Sequence, residues 1–181
     1  MFRALFLDRD GVINYDDGYT FKISKLKILD GVIEGLQAIK HLNFKIIIVT
    51  NQSGLARGLF TIQDFHGYMN KLIEILESNG ISICDYFYCP HHVNGVIEEL
   101  SILCKCRKPH PGMILKARDK HNIDLSKSIL IGDKKSDIEA GIRANIPYNI
   151  MISNSIDNKN PKPFAYAKNL IEASKIITKL K

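Results

Sequence analysis

An apolar run near the start of the chain ends abruptly in two acidic residues. Residues 2–7 have the composition of a buried strand, and Asp8, Asp10 and Gly11 follow. Because alternate side chains of an extended segment share a face, both carboxylates can point at one site. A hard cation such as Mg²⁺ relieves the repulsion between them. The pattern indicates phosphoryl transfer with one Asp as nucleophile and the other as acid and base, although a solvated Asp-Gly turn fits it equally well.

Two later apolar runs also end in polar side chains. Residues 45–49 lead into Thr50 and Asn51, and residues 128–131 lead towards Asp133. Helix-like segments separate the runs, and this alternation predicts a parallel sheet with right-handed crossovers. Open sheets of this kind bind ligands at the carboxyl ends of their strands. The predicted fold class is therefore α/β, a parallel sheet flanked by helices.

The rest of the chain fits the same alternation. The predicted elements are a helix from an N-cap at Asp30 to Ile39, a helix from a Thr61–Asp64 capping box towards Gly80, strands over 83–88 and 148–152, helices over 111–121, 136–144 and 167–180, and a loop over 154–163. At 181 residues we expect one domain, residues 1–181. The segments before and after Thr50 are too short to hold a separate cap domain, so loops at the sheet edge should select the substrate.

Charge and composition limit the partners. The formal net charge is +6, but the lysines are scattered and no basic groove is interleaved with aromatic residues, so we expect no nucleic-acid partner. No apolar run approaches the roughly 20 residues that span a bilayer, and the N-terminus has no signal pattern. We therefore expect no membrane partner, a cytoplasmic location and a monomer. The basic balance would modestly steer an anionic sugar phosphate towards the protein.

Two cations, Arg107 and Lys108, stand shortly before a helix start at Pro111. In order, the polar motifs are Asp-x-Asp, Thr-Asn, Arg-Lys and Gly-Asp-x-x-x-Asp, and this order resembles the haloacid dehalogenase (HAD) superfamily of phosphotransferases. The stretches DRDGVIN, TNQSGLARG, CPHH, CKCRKPHPGM and GDKKSD are similar to those of the heptose 1,7-bisphosphate 7-phosphatase group, close relatives of histidinol-phosphate phosphatases. The similarity covers residues 2–145 and weakens after Ile150, where the family tends to carry an Arg-Thr-Gly turn.

The resemblance implies an aspartyl-phosphate mechanism. Asp8 is the expected nucleophile, and Asp10 is the expected acid for the leaving oxygen and then the base for water. Mg²⁺ is expected on Asp8, the backbone carbonyl of Asp10 and Asp133. The groups expected to stabilise the transferred phosphoryl group are the Thr50 hydroxyl, the Asn51 backbone and the Lys108 ammonium. Asp137, together with Lys134, is a further candidate for positioning the metal-bound water or Lys108.

Loops at the same edge are expected to contact the substrate. The candidates are Asp16, Asp17, Gly18, Tyr19, Gln52, Ser53, Arg57, Arg107 and Lys134. The planar fork of Arg107 suits a second phosphate, and the resemblance implies that it recognises substrate. Simpler interpretations are a surface cation for Arg107 and a solvated turn for the segment around Arg57.

Four residues form a C-x-H…C-x-C pattern with twelve residues between its halves: Cys89, His91, Cys104 and Cys106. Such a set predicts a closed, structural tetrahedral Zn²⁺ site, which would fix a loop over residues 89–107. Disulfides are the alternative, but they rarely persist in the cytoplasm. His92 competes with His91 as the ligand, and the resemblance favours His91. Cys84 is expected to be a small buried side chain.

The predicted function follows from these sites and the resemblance. It is Mg²⁺-dependent removal of the C7 phosphate of D-glycero-D-manno-heptose 1,7-bisphosphate, in nucleotide-heptose precursor biosynthesis for lipopolysaccharide or glycan. One alternative is a histidinol-phosphate phosphatase, but Arg107 would disfavour the cationic distal end of that substrate. Another is a HAD-like binding module without catalysis, and the complete set of motif residues argues against it.

Overall fold

The computed structural model describes residues 1–156 and 160–180. Its strands and helices, in chain order, are β1 (Ala4–Leu7), α1 (Val32–Ala38), β2 (Lys45–Asn51), α2 (Ile62–Ser78), β3 (Ile83–Cys89), α3 (Gly112–His121), β4 (Ile129–Gly132), α4 (Lys135–Arg143), β5 (Tyr148–Ile152), β6 (Ala165–Ala167) and α5 (Leu170–Ile177). Within this part of the chain, no helix has the length and apolar character to cross a membrane.

All strands run parallel in one sheet, ordered β3-β2-β1-β4-β5-β6. The chain moves outward from β1 through β2 to β3, then returns to the other side of β1 and moves outward through β4, β5 and β6. The strand order therefore reverses between β1 and β4. Doubly wound sheets open a crevice at that position, beyond the carboxyl ends of the two strands. The predicted fold class is confirmed.

Helices cover both faces of the sheet. Leu5 and Leu7 of β1 pack with the apolar residues of α1, α2 and α5 on one face, while Ala4 and Phe6 pack with α3 and α4 on the other. All four are fully buried, and a buried Leu or Phe side chain contributes about 1.5–3 kcal/mol. This is why β1 is apolar throughout rather than alternating. The rigid three-layer core holds the strand ends at fixed positions.

Several local predictions are confirmed. The Thr61–Asp64 capping box forms at the start of α2, with the Asp64 amide donating to the Thr61 hydroxyl at 3.1 Å and the Thr61 amide donating to the Asp64 carboxylate at 2.9 Å. Strand β5 has the predicted bounds. Helix α3 follows Pro111 and ends at His121, as expected.

Other local predictions are wrong. The N-cap of α1 is Gly31, in the left-handed region at φ 82°, rather than Asp30. The final helix begins at Leu170 rather than near residue 167, because residues 165–167 instead extend the sheet as β6. Asn169 caps that helix by accepting a hydrogen bond from the Glu172 amide at 3.0 Å. Cys84 is exposed rather than buried. The predicted loop over 154–163 lies partly outside the described residues.

No connection in residues 1–156 and 160–180 holds a second α/β domain. The β1–β2, β2–β3 and β3–β4 connections carry α1, α2 and α3, together with short 3₁₀ turns. Loops over residues 8–31, 52–61 and 90–111 follow the carboxyl ends of β1, β2 and β3. The absence of a large cap, as predicted, leaves these loops to form the walls of the crevice.

Candidate active site

Three strand ends bring the predicted catalytic groups together. Asp8 follows β1, Thr50 lies near the end of β2, and Asp133 follows β4. At this edge the Gly11 backbone lies close to the Asp133 side chain. A Cβ on Gly11, whose φ is +82°, would lie 2.3 Å from the Asp133 carboxylate. A Cβ on Gly132 would lie 2.2 Å from the Asp137 side chain. Glycine at these positions therefore lets the carboxylates crowd into one site.

Lys108 lies at the centre of the site. Its ammonium nitrogen is 2.7 Å from Asp8, 2.6 Å from Asp137 and 2.8 Å from the carbonyl oxygen of Val49. A lysine ammonium has three N–H donors, and these three acceptors match them. Burial lowers the pKa of Lys108, but Asp137 and Asp8 outweigh it and raise the pKa above its ordinary value. Lys108 is therefore a fixed cation beside Asp8.

Acidic groups outnumber the cation. Asp8, Asp133 and Asp137 offer carboxylate oxygens within 4.8 Å of one another. Burial raises the pKa of Asp8 to about 8; Lys108 opposes the shift, and Asp137, Asp10 and Asp133 add to it. Burial also raises the pKa of Asp133. One buried ammonium does not balance three carboxylates, so the site favours an additional cation.

The oxygen donors fit Mg²⁺. The Oδ1 atom of Asp133 is buried and has no hydrogen-bond partner among the described residues. Hard cations take carboxylate and carbonyl oxygens of this kind. Asp8 and Asp133 are thus available as ligands, whereas both oxygens of Asp137 are already bonded, to Lys108 and to the amide of Lys134 at 3.0 Å. The Asp10 side chain is not part of this cluster, in keeping with the expectation that Asp10 contacts Mg²⁺ through its backbone carbonyl.

Asp10 is held by a residue that the sequence patterns did not indicate. Arg9 is buried, and its guanidinium donates to both carboxylate oxygens of Asp10 at 2.9 and 2.8 Å. Asn14 and Gln52 donate to the same carboxylate, each at 3.0 Å. The only sequence signal for Arg9 is its position between two acidic residues at the end of an apolar strand.

Asn51 and Thr50 also have specific partners. The Asn51 side chain accepts from the Lys108 amide at 3.0 Å and donates to the Lys108 carbonyl at 3.1 Å. It thereby ties the Lys108 backbone to the end of β2. The Thr50 hydroxyl accepts a hydrogen bond from Gln52 at 2.8 Å. The side chains of Asn51 and Gln52 thus support the neighbouring catalytic candidates, while the Asn51 amide remains the predicted phosphoryl contact.

A cavity of about 390 Å³ opens above these residues. It is lined by Asp10, Asp16, Gly18, Tyr19, Asn51, Gln52, Ser53, Gly54, Arg107, Lys108, Lys134 and Ser136. Seven of the nine predicted substrate residues are in this set. Lys134 approaches the Asp16 carboxylate at 3.3 Å across the mouth. The lining is rich in charged and amide groups, as a sugar phosphate requires.

Asp17 and Arg57, the other two predicted substrate residues, are not among the lining residues. The Asp17 carboxylate accepts hydrogen bonds from Thr20 at 2.9 Å and from Lys25 at 3.1 Å. The Arg57 guanidinium lies 3.3 Å from the ring of His92. Each side chain is held by its own neighbours, so the structure places both outside the cavity.

The four residues of the C-x-H…C-x-C pattern meet in one cluster. The sulfur of Cys106 is 3.2 Å from that of Cys89 and 3.3 Å from that of Cys104, and His91 Nδ1 is 3.3 Å from the Cys106 sulfur. These separations are far longer than a disulfide bond of about 2.05 Å. The four ligand atoms lie within 4.8 Å of one another, close enough to bind one Zn²⁺ as a Cys₃His set. His92 is outside the cluster, so the structure favours His91.

Two histidines outside the cavity have specific partners. His66 Nδ1 lies 2.8 Å from the Tyr86 hydroxyl. His121 Nε2 lies 2.6 Å from the Asp85 carboxylate, and its other ring nitrogen lies 3.7 Å from the Cys84 sulfur. Both pairs join a helix to the edge strand β3. The partners are 20 or more residues apart, so sequence spacing did not indicate these pairs.

Known proteins are similar to this chain in sequence. The chain is 42% identical to D-glycero-beta-D-manno-heptose-1,7-bisphosphate 7-phosphatase of Escherichia coli (strain K12) over 82% of its own length and 78% of the relative. It is 43% identical to the D-glycero-alpha-D-manno-heptose-1,7-bisphosphate 7-phosphatase of Photorhabdus laumondii over 97% of its length and 96% of the relative.

A solved structure has the same fold. D,D-heptose 1,7-bisphosphate phosphatase from B. bronchiseptica, complexed with magnesium and phosphate, matches with a TM-score of 0.84 at 25% identity, over 97% of this chain and 98% of that one. The family model for haloacid dehalogenase-like hydrolases matches residues 2–145, which contain the whole site described above. The chain therefore belongs to the haloacid dehalogenase-like hydrolase family.

Proposed function

We propose that this protein is a phosphatase that removes the C7 phosphate of D-glycero-D-manno-heptose 1,7-bisphosphate. The observation that carries the proposal is Asp8, a buried carboxylate 2.7 Å from a buried lysine at the sheet's switch point, in a chain 43% identical over 97% of its length to a phosphatase named for that substrate. The role in nucleotide-heptose precursor biosynthesis follows from the same substrate.

The reaction proceeds in two displacements at phosphorus. Asp8 attacks, the bond to the C7 oxygen breaks, and Asp10 gives its proton to that oxygen. Asp10 then takes a proton from water as the water attacks the aspartyl-phosphate, which releases inorganic phosphate and the Asp8 carboxylate. Lys108, the Thr50 hydroxyl and the Asn51 amide stabilise the charge on the transferred group.

Two metals complete the proposal. Asp8, the Asp10 carbonyl and Asp133 would hold Mg²⁺, which supplies charge neutralisation at the phosphoryl oxygens when bound. Cys89, His91, Cys104 and Cys106 would hold a structural Zn²⁺. Cys106 directly precedes Arg107 and Lys108, so ligation of its sulfur fixes the backbone from which both cations project.

Zinc analysis tests the second metal. The purified protein is expected to contain one Zn²⁺ per chain after dialysis against a mild chelator, whereas Mg²⁺ is expected to wash out. Cys106→Ser should lower both the melting temperature and kcat/KM, because it loosens the segment that carries Lys108. Cys84→Ser, at the exposed thiol outside the cluster, is the matched control. A zinc-free protein with disulfides among these cysteines would refute the zinc assignment.

Substrate selection rests on the second phosphate. Arg107 lines the cavity beside Lys108. Its Nη1 donates to the His91 carbonyl oxygen, in the loop over residues 89–107, at 3.4 Å. A guanidinium there suits a phosphate that lies outside the reacting position. Relatives of nearly equal identity are named for the alpha and the beta anomer, so the assay includes both.

The expected result is a clear kcat/KM preference for a heptose 1,7-bisphosphate over histidinol phosphate and fructose 1,6-bisphosphate. Arg107→Ala should lower kcat/KM for the heptose substrate by about tenfold or more, because one charge-assisted contact to the second phosphate is lost. The same substitution should lower kcat/KM for a simple aryl phosphate much less. Steady-state kinetics on both heptose 1,7-bisphosphate anomers, fructose 1,6-bisphosphate, histidinol phosphate and the aryl phosphate measures both effects. A preference for histidinol phosphate would replace the proposed substrate, and a wild type inactive with Mg²⁺ would indicate a binding module.

The chain is proposed to work as one domain, as a monomer and in the cytoplasm. A reducing compartment keeps the zinc-site thiols available, which supports the location. The monomeric state stays a prediction from the sequence, and light scattering at several protein concentrations tests it.

A further inference from the structure

The Asp10 carboxylate has a complete set of hydrogen bonds. Arg9 Nε and Asn14 Nδ2 donate to Oδ1 at 2.9 and 3.0 Å, and Arg9 Nη2 and Gln52 Nε2 donate to Oδ2 at 2.8 and 3.0 Å. A carboxylate offers about four lone-pair positions. Asp10 can therefore take up from water the proton that it gives to the leaving oxygen only if one of these donors gives way, and the same departure opens a position for that oxygen.

Arg9 is the donor least able to move. Its side chain is 1% exposed, and its guanidinium lies 4.8 Å from the Tyr68 ring centroid and 5.8 Å from that of Phe65. Nη2 also donates to the Thr20 carbonyl at 2.9 Å. A buried charge costs several kcal/mol unless it is paired. The bidentate contact to Asp10 and the aromatic faces supply that pairing.

Gln52 is the donor that faces the ligand. Gln52 and Asp10 line the cavity, whereas Arg9 and Asn14 are fully buried and are not among its lining residues. The Gln52 amide is neutral, so its bond to the carboxylate is weaker than that of the guanidinium. Its NH₂ group also donates to Thr50 at 2.8 Å, so it keeps a partner when it leaves Asp10.

We propose that Arg9 is the positioning residue that aims the Asp10 carboxylate at the leaving oxygen, and that Gln52 is the partner which the leaving oxygen displaces. The inference rests on the proposed role of Asp10. The inference concerns the orientation of the Asp10 carboxylate. The two donors of the rigid Arg9 guanidinium fix the plane of that carboxylate, and Gln52 occupies the hydrogen-bonding position on its cavity side until substrate arrives.

Two aryl phosphates that differ only in a 4-nitro group test this role. Phenyl phosphate has a poorer leaving group than 4-nitrophenyl phosphate, so it needs more help from a correctly aimed acid. The measured quantity is kcat/KM with Mg²⁺, which covers the steps through departure of the leaving group. Arg9→Met should raise the ratio of 4-nitrophenyl to phenyl phosphate about tenfold or more, part of the usual contribution of acid–base catalysis. Arg9→Lys, which keeps the charge but not the fork, should give an intermediate ratio.

The controls separate positioning from folding. Arg118→Met, at an exposed arginine on α3, should leave the ratio at its wild-type value. Gln52→Leu should change the ratio by less than about threefold, since that partner is displaced during turnover. If Arg9→Met does not fold, Arg9→Lys alone decides the question.

Equal losses on both substrates in the Arg9 variants would make Arg9 merely structural and overturn the proposal. A Gln52→Leu ratio as large as that of the Arg9 variants would overturn the displacement step. A wild type inactive on both aryl phosphates and on heptose 1,7-bisphosphate would refute the proposed phosphatase and this inference together. Activity on them without a preference for heptose bisphosphate would refute only the substrate.

Discussion

Asp8→Asn is expected to lower phosphatase turnover by about 10⁴-fold or more while leaving the fold intact, since an amide does not replace a carboxylate nucleophile. The substitution keeps the shape of the side chain. Lys108 retains Asp137 at 2.6 Å, so its ammonium stays paired. Burial disfavours the charged form of Asp8 and raises its pKa to about 8. A neutral amide avoids that cost, so without Mg²⁺ the melting temperature of the variant should be no lower than that of the wild type.

Two measurements check this expectation. Steady-state kinetics with Mg²⁺ gives the loss of turnover, and the melting temperature measured without added Mg²⁺ gives the stability. Asp119→Asn, at an exposed aspartate on α3, serves as the control and should leave turnover at its wild-type level. Residual activity within tenfold of the wild type, with contaminating phosphatase excluded, would contradict the aspartyl-phosphate mechanism. A large drop in melting temperature would show that the Asp8 charge stabilises the fold.

The sheet was predictable because its signals are local. Each central strand is an apolar run, and each ends in a polar residue where the sheet meets the crevice, so the placement of Asp8, Thr50 and Asp133 at that edge followed from the order of the strands, while their roles came from the family resemblance. Strand β6 was missed because three residues, Ala165–Ala167, are too few to show a period. Its pairing with β5 depends on tertiary packing rather than on propensity.

The contacts inside the site were less predictable. Lys108 and Asp8 are 100 residues apart, and Asn51 and Lys108 are 57 apart. No spacing rule connects such pairs. Arg9 was overlooked because a single arginine beside an acidic motif usually lies at the surface. Sequence patterns thus identify the residues that carry chemistry, while the residues that orient them emerge only when the loops are placed on the sheet.

The role of Lys108 as the central cation can be tested by removing its charge. Lys108→Met, an apolar side chain of similar length, leaves Asp8 and Asp137 buried without their shared ammonium. Breaking a buried pair by removing one partner typically costs about 3–5 kcal/mol. The free energy of unfolding in urea should fall by that amount in protein without bound Mg²⁺. Turnover should also fall by about 10²-fold or more, because the transferred phosphoryl group loses a positioned cation.

A double variant separates stability from catalysis. Adding Asp137→Asn to Lys108→Met removes one of the two stranded carboxylates, so about half of the lost stability should return while turnover stays low. Lys116→Met, at an exposed lysine of α3, is the matched control and should change neither quantity. Recovery of turnover together with stability would mean that Lys108 serves only to hold the fold. If Lys108→Met is as stable as the wild type, the two carboxylates are neutral in the free protein, and the ammonium is needed only when a phosphate and its metal are bound.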